Sequence, residues 1–154
     1  MDLTLTHVII YGDRERFANL EYLTGYDPRY EEALAIIDIA GNVSVVVGNE
    51  GFAYSYVSPY EVNRMLYQNF SLQGQPRDKL VTLSSIFSKS GIRQTSKVGI
   101  IGFKYFEKTH IKVPKYSYDI PAYILEELYE IVEKQMLGLG VKNSPPLYLR
   151  LVAL

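Results

Sequence analysis

Cysteine and tryptophan are absent from these 154 residues, and histidine occurs only twice. Without cysteine the chain forms no disulfide and no thiolate metal site, a composition that suits a reducing compartment such as the cytoplasm. A dominant charge is lacking too, since 16 basic against 17 acidic residues leave a net charge of −1. No overall field therefore draws the chain to nucleic acid or to an anionic membrane. No segment approaches the roughly 18 apolar residues that span a bilayer. The opening MDLTLTHVIIYGDRER, acidic at Asp2 and broken by Asp13, does not read as a secretory signal. Phosphate-loop (Gly-x-x-x-x-Gly-Lys), nucleophile-elbow (Gly-x-Ser-x-Gly) and metal-helix (His-Glu-x-x-His) signatures do not occur.

What is present is an ordinary globular composition, 47% hydrophobic and 21% charged, in a length that suits one domain with a real core. Fourteen tyrosines suit either half-buried strand positions or a contact surface. The apolar pattern predicts a strand at His7 to Tyr11 and a helix from Arg14 to Leu23, with Phe17, Leu20 and Leu23 on its stripe and Gly25 at its end. Two strands, Ala33 to Ile39 and Val43 to Val47, flank Ala40-Gly41-Asn42 as a hairpin, and their near-continuous apolar character implies a sheet covered on both faces. Gly48-Asn49-Glu50-Gly51 reads as a loop and Met65 to Phe70 as a weaker strand. A helix capped by Asp78 and closed by Gly91 precedes a strand at Lys97 to Ile101, a crossover unit. The last helix starts near Pro121 and carries Ile124, Leu125, Leu128, Ile131, Val132 and Met136 on one side. The expected fold is a single α/β domain, a mixed sheet flanked by helices on both faces, over residues 1–137, followed by a largely apolar segment 138–154.

Candidate chemistry is sparse. His7 reads as a structural residue and His110 as solvated. Asp27 and Asp38 have ten residues between them, and His110 with Glu127 or Glu130 would complete a metal set by type alone. Asp27-Pro28 and Asp38 beside Gly41-Asn42 have sufficient backbone reasons, so the turn reading is preferred. Arg14, Arg16 and Arg29 could meet one anion, but Asp13, Glu15, Glu31 and Glu32 are at hand for ion pairs. Nucleic-acid binding would need a wider basic surface interleaved with aromatics. The polar loops at residues 48–51 and 73–77 could each face a partner.

The segments YGDRERFANLEYLTGYDPRYEEAL, VGNEG, FSLQGQPRD and KVGIIGFKYFE, in this order between residues 7 and 107, resemble the N-terminal domain of the M24 metallopeptidases, the family of Xaa-Pro aminopeptidase, prolidase and creatinase. From Asp119-Ile120-Pro121-Ala122-Tyr123 to Asn143 the likeness is looser. The resemblance implies a ribonuclease H-like mixed sheet without catalytic or metal-ligating residues of its own. Two divalent metal ions (manganese, cobalt or zinc) would belong to a C-terminal catalytic domain that begins near Arg150-Leu151, beyond this segment. It further implies homo-oligomer contacts and control of peptide access to that site, while the charge balance and the lack of a long apolar run argue for no nucleic-acid or membrane partner. Residues implied for access or interface are Arg14, Arg16, Asn19, Tyr22, Arg29, Asn49, Glu50, Arg77 and Phe103. Arg16 stands where the family often has histidine and Phe103 where it often has tryptophan. A stand-alone peptide- or protein-binding module is the alternative, and a nuclease would need clustered carboxylates that the spacing does not provide.

Overall fold

A computed structural model of the chain describes residues 5–102, 106–112, 117–132 and 136–138. Six strands, β1 (His7–Gly12), β2 (Ala33–Asp38), β3 (Val43–Val47), β4 (Asn63–Leu66), β5 (Val98–Ile101) and β6 (Met136–Gly138), form one sheet in the order β4-β3-β2-β1-β5-β6. β2 runs antiparallel to both neighbours, while β3 with β4, β1 with β5 and β5 with β6 are parallel pairs. Every strand except β2 therefore ends at the same rim. The hairpin expected between β2 and β3 is present, with Gly41 at φ +85° in its turn.

Alternation along the central strands divides the core in two. Ile9, Tyr11, Leu34, Ile36 and Val46 face one layer with α3 (Leu83–Lys89) and α4 (Ala122–Val132). Ile10, Ala33, Ala35, Val45 and Val47 face the other, with α1 (Ala18–Thr24) and α2 (Asn49–Tyr54) beyond them. Ile9, Ile10, Leu34 and Phe87 are fully buried, each contributing about 1.5–3 kcal/mol. Helices on both faces of a mixed sheet are thus the observed architecture.

Several boundaries differ from the sequence reading, for physical reasons. The first helix starts at Ala18 and not near Arg14, because the Asp13 carboxylate accepts the backbone N–H groups of Glu15 and Arg16 at 2.9 and 2.8 Å and holds them in a turn. It ends as expected, on Gly25 at φ +66°. The stretch from Gly48 to Gly51 is not a loop, since α2 begins at Asn49. The weak strand lies at Asn63–Leu66, and Gln68–Phe70 is a 3-10 turn. Asp78 caps nothing: it accepts from Gln68 Nε2 at 3.1 Å, while Thr82 caps α3 by accepting from the Ser85 N–H. Met136 belongs to β6 and not to the last helix.

The tyrosines divide between the core and the surface. Tyr11, Tyr26 and Tyr67 are buried, whereas Tyr22, Tyr30, Tyr56 and Tyr60 are more than half exposed. No helix among the described residues is long and apolar enough to cross a membrane.

Candidate functional site

In α/β sheets the carboxyl ends of the strands are where ligand sites gather, because loops rather than ladder bonds meet there. Here the rim past Gly12, Val47, Leu66 and Ile101 also receives the start of β2, and most of the polar contacts described below lie along it.

Glu31 and Glu32 precede β2 and act on opposite faces. Glu31, 4% exposed, accepts the backbone N–H of Glu50 at 3.2 Å and of Gly51 at 3.0 Å, placing an internal carboxylate at the start of α2. Gly48 makes this approach possible: a Cβ there would collide with Glu31 Oε2 and sit 2.8 Å from the Ser71 backbone nitrogen. Glu32 Oε1 instead accepts the hydroxyls of Tyr11 at 2.8 Å and Tyr123 at 3.2 Å. Burial first, then the Glu32 carboxylate, pushes the Tyr11 phenol far above its ordinary value. The Tyr123 phenol is likewise raised, by burial and by Glu32.

A second cluster fastens the loop after β4 to α2. Asn49 donates its backbone N–H to Ser71 Oγ at 2.9 Å and its side-chain amide to the Pro76 carbonyl at 2.8 Å, while its oxygen accepts from Gln68. Glu50 accepts from Gln75 Nε2 at 2.8 Å, and Arg77 donates to the Ser71 carbonyl at 2.7 Å. The segments VGNEG and FSLQGQPRD, distant in sequence, therefore meet in space, together with the PRYEE that carries Glu31.

Arg16 forms the third cluster. Its guanidinium pairs with Asp13 at 2.5 Å and with Asp119 at 2.9 Å, joining the β1–α1 connection to the approach to α4. Burial acts to raise the Asp13 pKa, but the N–H groups of Arg16 and Glu15 and the nearby guanidinium outweigh it and hold the carboxyl below its usual value. Arg16, Tyr118, Asp119, Ile120 and Pro121 line a cavity of about 230 Å³ beside this pair.

The remaining candidates lie apart. Arg29 is exposed and bound to Asp27 at 2.7 Å, so the three arginines do not converge on one anion. The pairing expected with Asp13 forms at Arg16, but Glu31 and Glu32 take backbone amides and tyrosines instead. Arg14, Asn19 and Tyr22 are exposed along the entry to α1 and the helix itself. Phe103 lies outside the described residues. Sequence reasoning passed over Glu31, Glu32, Gln68, Ser71 and Asp119 as site residues. An acidic doublet directly ahead of a buried strand was the signal available for the first two.

Among the described residues no three His, Asp or Glu side chains gather as a metal centre requires. Asp38 holds Asn42 at 2.7 Å, His110 Nδ1 accepts the Glu107 N–H, and Glu127 accepts the Ser84 hydroxyl at 2.6 Å. The residues described do not fit a metal pair, and no metal chemistry is assigned to them. What the rim does is hold backbone segments in fixed relation around a small, mostly acidic edge.

No family model matches the sequence, and no curated protein matches it. Among solved structures, the prolidase from Pyrococcus horikoshii OT3 is similar with a TM-score of 0.51 at 12% identity, over 88% of this chain and 28% of the prolidase. The prolidase from Pyrococcus furiosus aligns with a TM-score of 0.41 at 14% identity, over 75% of this chain and 27% of that one. The chain thus spans little more than a quarter of the prolidases it resembles, and it shares with the first of them the fold of one region.

Proposed function

We propose that this chain is a non-catalytic N-terminal domain of an M24-type metallopeptidase of the Xaa-Pro aminopeptidase or prolidase kind, acting in the cytoplasm. On this reading it supplies contacts between like subunits and part of the wall that limits peptide entry. The two divalent metal ions and their ligands lie in a catalytic domain outside these residues. The observation that carries the reading is the fold likeness, in which 88% of the chain matches 28% of a prolidase. The meeting of three family-like segments at one rim supports it further, because a wall needs loops held in fixed positions.

Two measurements test it. With manganese or cobalt added, the isolated chain is expected to leave Xaa-Pro peptides intact, and metal-dependent turnover by this chain alone would overturn the proposal. The reading frame after Leu154 is expected to encode paired Asp, a His and paired Glu. A stop codon there would move the case to a second reading, a stand-alone peptide- or protein-binding module. The exposed rings of Tyr22, Tyr30, Tyr56 and Tyr60 favour that alternative, and saturable binding of a peptide to the isolated chain would establish it.

A further inference from the structure

His7 stands at the start of β1, at the opposite end of the sheet from the acidic rim, with 7% of its surface exposed. Its Nε2 lies 3.2 Å from the Ser90 carbonyl oxygen just past α3, and its Nδ1 lies 3.0 Å from the Thr6 hydroxyl. A carbonyl can only accept, so Nε2 carries a proton in every state that keeps this bond. The Nδ1 contact works in both directions. Thr6 Oγ1 accepts the Lys97 backbone N–H at 3.0 Å, and its own proton has two acceptors in reach, the Lys97 carbonyl at 3.2 Å and His7 Nδ1. The Lys97 carbonyl already takes the backbone N–H groups of Thr6 and His7, at 2.9 and 3.3 Å, and is satisfied without the hydroxyl.

We propose that the Thr6 hydroxyl is a two-position rotor that lets the buried His7 ring gain or lose a proton without breaking a hydrogen bond, making a proton-responsive clasp between β1, β5 and the end of α3. In the neutral state Nε2–H donates to Ser90 and the Thr6 hydroxyl donates to Nδ1. When a proton arrives from solvent at Nδ1, that nitrogen becomes the donor, Thr6 Oγ1 accepts from it, and the hydroxyl proton swings to the Lys97 carbonyl. The only bond formed is N–H, and the Ser90 contact persists throughout. Among the described residues, two charged groups act on the ring. Asp38, opposite His7 in the β1–β2 register, favours the cation, and Arg93 opposes it. Burial outweighs the Ser90 bond and Asp38, so the ring titrates below the ordinary 6.5. Gly91, at φ +89°, leaves the ring its place, since a Cβ there would come within 3.3 Å of Nε2.

The test is a pH titration of the whole chain by long-range proton–nitrogen NMR of the His7 ring, followed together with the Lys97 amide, in wild type, Thr6→Ser and Thr6→Val. The neutral ring is expected to be the Nε2–H tautomer, with the Lys97 amide moving at the same midpoint. Thr6→Ser should preserve both. Thr6→Val should lower the midpoint by a further half unit or more, roughly, because a hydrogen bond to the charged ring is worth more than one to the neutral ring. It should also uncouple the Lys97 amide. An Nδ1–H tautomer, a Lys97 amide that ignores the titration, or an unmoved midpoint in Thr6→Val would each overturn the proposal. If Thr6→Val does not fold, the wild-type tautomer and the Lys97 response decide it.

Discussion

The carboxylate of Glu31 accepts the backbone N–H of Gly51 at 3.0 Å across 20 residues of sequence, and no side chain of α2 itself caps that helix. Replacing Glu31 by Ala leaves this N–H and that of Glu50 without an acceptor in a place shielded from water. The expected loss is about 2–4 kcal/mol. Glu31→Gln keeps one acceptor oxygen and should lose about half as much. Urea denaturation measures both, and a Glu31→Ala chain as stable as wild type would contradict the capping role.

Gly48 is held by the same contact from the other side. A Cβ at this position meets Glu31 Oε2, the Ser71 nitrogen and Ser71 Oγ, and two of those three atoms belong to the anchored loop after β4. Gly48→Ala is therefore expected to destabilise by about 1–3 kcal/mol through overpacking, with faster hydrogen exchange at Asn49 and Ser71 as the local sign.

Tyr11 and Tyr123 share Glu32, and both phenols are raised above 10.0. A folded value above the unfolded one means that stability is full below about pH 10 and falls as the unfolded chain ionises above it. Wild type should lose stability over this alkaline range more steeply than Tyr11→Phe, as read from denaturation midpoints at several pH values. At neutral pH Tyr11→Phe should cost about 1 kcal/mol and Tyr123→Phe, on the more exposed residue, less.

Acid acts in two separate windows. His7 has a folded pKa below 6.5, so the unfolded chain takes the proton first and stability falls as pH drops from 6.5 through the lower folded value. Asp13, Asp38 and Asp78 have folded values below 3.8, so their contribution is present above 3.8 and is lost as pH falls further. Stability measured against pH should show both declines, and His7→Gln should remove only the first.

Arg16 is partly exposed, with 44% of its side chain accessible, and its pairs are screened by solvent. Arg16→Ala should therefore cost less than about 1 kcal/mol, and the loss should shrink with added salt. Its larger effect is expected on position, with the chain near Asp119 becoming more open to limited proteolysis.

The sheet was legible because local chemistry and tertiary role agree in it. The β-branched runs HVII and VSVVV favour strands by propensity, and together with the apolar ALAII they are strands in the fold by burial on both faces. What could not be read was controlled from a distance. Nothing within Gly48-Asn49-Glu50-Gly51 announces a helix start, since the anion that steadies it is Glu31, far back in the chain. Asp78 looked like a cap by residue type, but Gln68 claimed its carboxylate, and the local signal that did decide the matter was Thr82 with Ser85 three residues on. The arginines were legible as ion-pairing residues and Asp13 as one of their partners, but Asp119 was not, because it is far from Arg16 in the sequence and beside it only in the fold.

Glu31 and Glu32 are alike in charge and adjacent in sequence, yet each has partners only on its own side of the sheet. A slip of β2 by one residue would turn each carboxylate toward the wrong layer, away from two amides in one case and two phenols in the other, while Leu34 and Ile36 would exchange layers with Ala33 and Ala35. The acidic pair thus acts as a proofreading mark for strand alignment: a slip of one residue would take both carboxylates from their donors at once.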